Sequence, residues 1–206
     1  MSDLSIYDFK KFLLRDLKIQ KTDVIFMFSS MKYLALSKIT PSQILELFEE
    51  ILSKGALILP TFTFELENID QFDSSSKNCQ QMGHIAVNSI GRKGYIRTNH
   101  PIFSTNFFVN GSSKLLREIL PTSNDAFGKG SIFNNLIFGS SNPKILLFSG
   151  VFEDTLYRST FIHAAQQECF AWHRYLKIFY SKKIQNLLKI HLKQDRNSNQ
   201  IGRAHV

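Results

Sequence analysis

The residues best equipped for chemistry fall in four short stretches. His100 stands directly before Pro101 in RTNHPIFS, and Ser104 closes that run. An imidazole titrates near neutral pH and can take or give a proton there. Proline fixes its own φ and pushes the preceding residue toward extended backbone, so the ring leaves the chain in a defined direction. The same corner also suits a ring that only packs or caps. FGKGS (127–131) brings together permissive backbone at Gly128 and Gly130, a cation at Lys129 and a hydroxyl at Ser131. Such a loop suits a phosphate, and it is equally an ordinary turn. Ser29, Ser30 and Met31 follow an apolar run and can present hydroxyls and backbone N–H groups. Thr160 and His163 sit one turn apart on a predicted helix and share a face, either as a polar working strip or as part of a core lining.

The elements that must position these groups read as alternating strands and helices. Ile6, Phe9, Leu13 and Leu17 recur at helical spacing over 5–17. VIFMF (24–28) and ALILP (56–60) read as buried strands. Between them, 40–55 is a punctuated helix: Thr40 as cap, Pro41 in the first turn, Gln43 completing a capping box and Gly55 as the stop. Residues 61–80 form a long polar loop, a length that is often functional. Helices are expected over 82–93, 112–120 and 159–172, and strands at GYIRT, STNFFVNG, 144–150 and 174–180, with a Gly-rich loop at 121–131. This alternation predicts an α/β sandwich around a central sheet, as a single domain over residues 1–200.

Composition narrows the classes. The 206 residues are 43% apolar and 20% charged, a globular balance. No apolar run approaches bilayer length, and the amphipathic N-terminus lacks the core of a signal peptide, so a cytoplasmic protein is expected. Cys79 and Cys169 make no metal pattern. The net charge of +8 is local: residues 1–170 hold 17 Lys/Arg against 16 Asp/Glu, whereas 171–206 hold 8 against Asp195 alone. A basic tail segment without a recognition motif argues against a nucleic-acid binder. The closing IGRAHV (201–206) matches one reading frame of a common sequencing adapter; on that reading the natural chain continues past about Gln200.

Six separated segments line up, in order, with one family. FSSM (28–31), GALILPTFTF (55–64), FDSSS…QMG (72–83), RTNHPIFS (97–104), FGKGS (127–131) and STFIHAAQ (159–166) resemble the aminoglycoside 3-N-acetyltransferases. WHRYLKIF (172–179) is similar to the members found among surface-polysaccharide genes. The resemblance covers roughly residues 5–185. It implies a three-layer α/β sandwich around a mixed sheet, acetyl-coenzyme A as donor with no metal, and a sugar amine as acceptor.

Acetyl transfer to an amine needs a neutral amine, an oriented thioester and a stabilised oxyanion. The resemblance implies His100 as the base, with Thr160 and His163 in the Thr-x-x-His positions as a donor and an orienting ring, and Ser104 as a support for the base. It implies coenzyme A contacts from Ser29, Ser30, Met31, Gly128, Lys129 and Ser131, and acceptor contacts from Asp73 and Gln166. Two positions depart from the family pattern. Phe28 replaces a histidine, and Gln166 replaces a carboxylate that would raise an imidazole's pKa. Glu168 is turned about 200° around the helix from that position and cannot substitute; Glu153 or Asp154 could. The rival expectation is a relative that binds coenzyme A or a sugar without turnover.

Overall fold

The computed structural model describes residues 5–29, 39–64, 72–79, 82–110, 113–139 and 143–148. The expected helix at 159–172 and strand at 174–180 lie outside these, as do Ser30, Met31, Glu153, Asp154, Thr160, His163 and Gln166.

Five strands form one mixed sheet: β1 (Val24–Ser29), β2 (Ala56–Pro60), β3 (Tyr95–Arg97), β4 (Thr105–Val109) and β5 (Lys144–Phe148), in the order β3-β4-β2-β1-β5. β1 runs parallel to both β2 and β5, pairing Val24 with Ala56 and Ile25 with Lys144. β4 runs antiparallel to β2 and to β3. The two parallel central strands are covered on both faces, which is why they read as unbroken apolar runs.

Alternate side chains of each strand enter two separate cores. Ile25, Met27, Leu57, Leu59 and Leu146 join the first, with residues of α1 (Ile6–Lys11), the π-helical turn that continues it (Phe12–Asp16) and α2 (Pro41–Ile51). Val24, Phe26, Ala56, Ile58 and Ile145 join the second, with α4 (Ser113–Ile119) and α5 (Ile132–Phe138). α3 (His84–Ser89) packs on α2 and gives Ile85 to one core and Ala86 to the other. The result is the expected three-layer α/β sandwich.

The capping box of α2 is present: Thr40 Oγ1 accepts from Gln43 N–H at 3.2 Å, and Gln43 Oε1 accepts from Thr40 N–H at 2.8 Å. Gly55 is not the helix stop. The helix ends at Ile51, and Gly55 instead lies against the Asp23 and Lys21 carbonyls, where a Cβ would collide with backbone. α5 was not expected. Its Ile132, Phe133, Leu136 and Ile137 make an apolar helical face directly after the Gly-rich loop, and Ser131 caps it.

Candidate functional site

The C-terminal ends of parallel strands are where α/β sheets usually hold ligands. Ser29 ends β1 and Pro60 ends β2. β4 starts at the same edge, because it runs antiparallel to β2 with Thr105 opposite Pro60. The turn from β3 to β4, residues 98–104, therefore brings His100 to that edge.

Backbone pairing pins this corner to the segment after β2. Thr61 N–H donates to Ser104 O and Thr63 N–H to Ile102 O, both at 2.9 Å, and the Thr63 hydroxyl donates to Pro101 O. Across the turn, Thr98 N–H donates to Thr105 O, and Thr105 N–H to Thr98 Oγ1, each at 2.9 Å. His100 closes the corner itself: its Nδ1 accepts from Ile102 N–H at 3.1 Å and from Phe103 N–H at 3.0 Å. Burial holds the ring's pKa below the ordinary histidine value, with the Asp125 charge pulling the other way.

No hydrogen bond joins Ser104 to His100. The buried Ser104 hydroxyl donates to Thr61 O at 2.7 Å and accepts from Arg97. Arg97 is the residue that sequence reasoning missed. Its Nε meets Ser104 Oγ at 3.1 Å and Thr61 Oγ1 at 3.2 Å, and its Nη2 donates to Thr61 O at 2.9 Å. Its Nη1 donates to Ser76 O at 2.5 Å and to Ser74 O at 3.3 Å, and the guanidinium lies over the Phe72 ring, 5.1 Å from its centre. One side chain thus fastens residues 72–76 to the ends of β2 and β4. A signal existed, since an arginine three residues before a His-Pro corner is a candidate clamp, but its partners come from two distant segments.

Asp73 sits on the segment that Arg97 holds. Its exposed carboxylate accepts from the Ser75 hydroxyl at 2.6 Å and Ser75 N–H at 2.8 Å. Those two bonds, the hydroxyl's first, hold its pKa below the usual carboxylate value, with a smaller contribution from Arg97. Phe72, Asp73, Ser74, Asn99 and Pro101 line an open cleft of about 430 Å³. On the other side of the corner, His100, Asn99 and Phe103 line a narrow crevice with Ser123 and Asp125.

The Gly-rich loop folds back on itself. Gly130 O accepts from Thr122 N–H at 2.8 Å, and Gly130 takes a φ of 83° beside Thr122, conditions that exclude a side chain there. Phe127 anchors the loop, its ring 4.9 Å from Phe103 and 5.4 Å from Phe133. Lys129 is exposed. Ser131 is buried, and its hydroxyl caps α5 by accepting from Asn134 N–H at 3.2 Å. From this loop, the crevice beside His100 is lined by Pro121 and residues 123–126 rather than by Gly128, Lys129 or Ser131. The Met-Gly pair has its own place: Gly83, at φ 87°, packs on the Ser29 carbonyl, where a Cβ would lie 2.6 Å from the oxygen. Among the described residues no group of His, Cys, Asp and Glu side chains is arranged to hold a metal.

Several solved structures share this fold. A histidine-to-alanine mutant of aminoglycoside acetyltransferase AAC(3)-IVa in complex with apramycin matches at TM-score 0.63 and 16% identity, covering 82% of this chain and 65% of that one. The AAC(3)-IVa apoenzyme matches at TM-score 0.58 and 16% identity, covering 73% and 57%. AAC-IIIb, in a binary complex with CoASH, matches at TM-score 0.52 and 14% identity, covering 66% and 56%. The chain thus spans less than two thirds of the length of each. At these identities the likeness establishes the fold. No curated protein matches the chain. The aminoglycoside 3-N-acetyltransferase family model matches residues 26–200, a span that takes in the end of β1, the Arg97 clamp, the His100 corner and the Gly-rich loop, and the chain belongs to that family.

Proposed function

We propose that the chain is an acetyl-coenzyme A-dependent N-acetyltransferase whose acceptor is an amine of an aminoglycoside or another aminosugar. The observation that carries this reading is the family match over residues 26–200. The geometry supports it: a strand-end site, an imidazole at a pinned corner, and a carboxylate in the adjoining cleft to receive a cationic acceptor. AAC-IIIb holds CoASH and AAC(3)-IVa holds apramycin in their structures, which supports the same two ligand classes here. In this proposal His100, Thr160 and His163 serve the chemistry. Ser29, Ser30, Met31, Gly128, Lys129 and Ser131 face coenzyme A, with Ser131 limited to what a capping hydroxyl can still donate. Asp73 and Gln166 face the acceptor, and one domain over residues 1–200 carries the site.

The test is thiol release from acetyl-coenzyme A with a panel of aminoglycosides and aminosugars, alongside coenzyme A binding by calorimetry. Amine-dependent thiol release is the expected result. Binding without release with every amine would favour the second reading, a non-catalytic relative, which Phe28 and Gln166 in place of a histidine and a carboxylate support.

A further inference from the structure

We propose that His100 works as a neutral hydrogen-bond donor through Nε2–H, and not as the base of the site. Two backbone N–H groups, from Ile102 at 3.1 Å and Phe103 at 3.0 Å, converge on Nδ1. A nitrogen that receives two donors presents its lone pair. A neutral imidazole with its lone pair at Nδ1 carries its proton at Nε2. To accept a proton at Nε2, the ring would first have to move that proton to Nδ1, against both N–H groups.

The corner does not yield to let this happen. Pro101 supplies no N–H of its own, so the fork is made by the next two residues. Ile102 and Ser104 are pinned through their carbonyls to Thr63 and Thr61. Nε2, by contrast, has no partner among the described residues, and the half-buried ring lines the crevice beside Ser123 and Asp125. Among the described residues, Asp125 is the one charged side chain lining that crevice; it favours a cationic ring, while burial and the two N–H groups favour a neutral one.

This inference rests on the proposed acetyl transfer for its chemistry. The amine nitrogen bonds to the thioester carbon as the carbonyl electron pair moves onto oxygen. His100 donates to that oxyanion and keeps its own proton. Collapse re-forms the carbonyl and breaks the C–S bond. The amine's proton goes to a separate base and from there to the departing thiolate; His163 is the other imidazole in the expected set. Loss of one such preorganised donor typically lowers kcat by ~10²–10³-fold.

Ring ¹⁵N NMR of the wild-type chain reads the tautomer without any turnover, with the His100 signals assigned by their loss in His100→Asn. A pyridine-like Nδ1 and a protonated Nε2 are expected, and a proton on Nδ1 in the neutral ring would overturn the inference. His100→Asn then separates capping from donation, since its Oδ1 can accept from the same two N–H groups but it has no distal donor. Its thermal midpoint should stay near wild type while kcat falls by ~10²–10³-fold. Full kcat in His100→Asn would reduce the ring to a cap. Absence of turnover in the wild type would remove the acetyltransferase reading, and the NMR result would still decide the tautomer.

Discussion

The half-buried Arg97 is fastened to the buried Ser104: the Ser104 hydroxyl receives Nε at 3.1 Å and Nη2 at 3.0 Å while itself donating to Thr61 O. The pair joins the last residue of β3 to the residue preceding β4, and through Ser74 and Ser76 it reaches the cleft that holds Asp73.

Arg97→Met should therefore act twice. It takes the Arg97 donor from the half-buried Ser76 carbonyl and the exposed Ser74 carbonyl, and one of two donors from Thr61 O, which keeps the Ser104 hydroxyl. A buried acceptor left unpaired costs about 1–3 kcal/mol, and one that water reaches costs less. It also frees residues 72–76 from the sheet. Denaturant unfolding should show the loss of stability, and KM should rise more for the amine than for acetyl-coenzyme A. Arg97→Lys should recover little, because an ammonium cannot reproduce the planar fork. Equal effects on the two KM values would remove the link to the acceptor.

The depressed pKa of His100 predicts a pH slope in stability. As pH falls below the ordinary histidine value of about 6.5, the unfolded chain takes up a proton that the folded ring still refuses. The unfolded state then binds more protons, so stability falls with falling pH. The contribution is fully present above about 6.5 and is lost on the way down to the folded value. Unfolding free energies of wild type and His100→Asn across this window should differ in slope, the variant being flatter.

Gly83→Ala should destabilise the chain. A positive φ costs an L-residue about 1–2 kcal/mol. The added Cβ would also lie 2.6 Å from the Ser29 carbonyl, a backbone atom on a central strand that cannot swing aside. An unfolding midpoint equal to wild type would show that β1 can give way at its end.

Lys129→Ala tests the donor side. If Lys129 meets a phosphate of coenzyme A, the variant should bind more weakly and with a shallower dependence on salt. Calorimetry at low and high ionic strength would show either that pattern or an unchanged affinity that removes Lys129 from the site.

Local signals made much of the frame legible. The capping box of α2 needs only residues three apart, and the central strands announced themselves as continuous apolar runs. The His-Pro corner was equally visible, with both its readings, a working ring and a cap. What stayed hidden depended on the third dimension. Gly55 suited a helix stop, but its neighbour is the Asp23 backbone. Ser131 offered a loop hydroxyl, yet the helix that follows claims it. Arg97 bonds to Thr61, 36 positions away, and to Ser74 and Ser76, 23 and 21 away, and no spacing rule joins such segments. The tautomer of His100 follows from two N–H directions that only the folded turn defines.

The ladder between 61–63 and 101–104 also bears on the order of folding. Its hydrogen bonds join residues about 40 positions apart, so closing that loop costs entropy before any of them repays it. The β1–β2 pair, bridged by α2 and its local cap, needs a shorter closure. If the corner that carries His100 is among the last parts to consolidate, it is also among the first to open. Substitutions at Arg97 or Ser104 should accelerate unfolding while leaving the refolding rate nearly as it was, so the residues nearest the chemistry govern how long the native state lasts rather than how quickly it is reached.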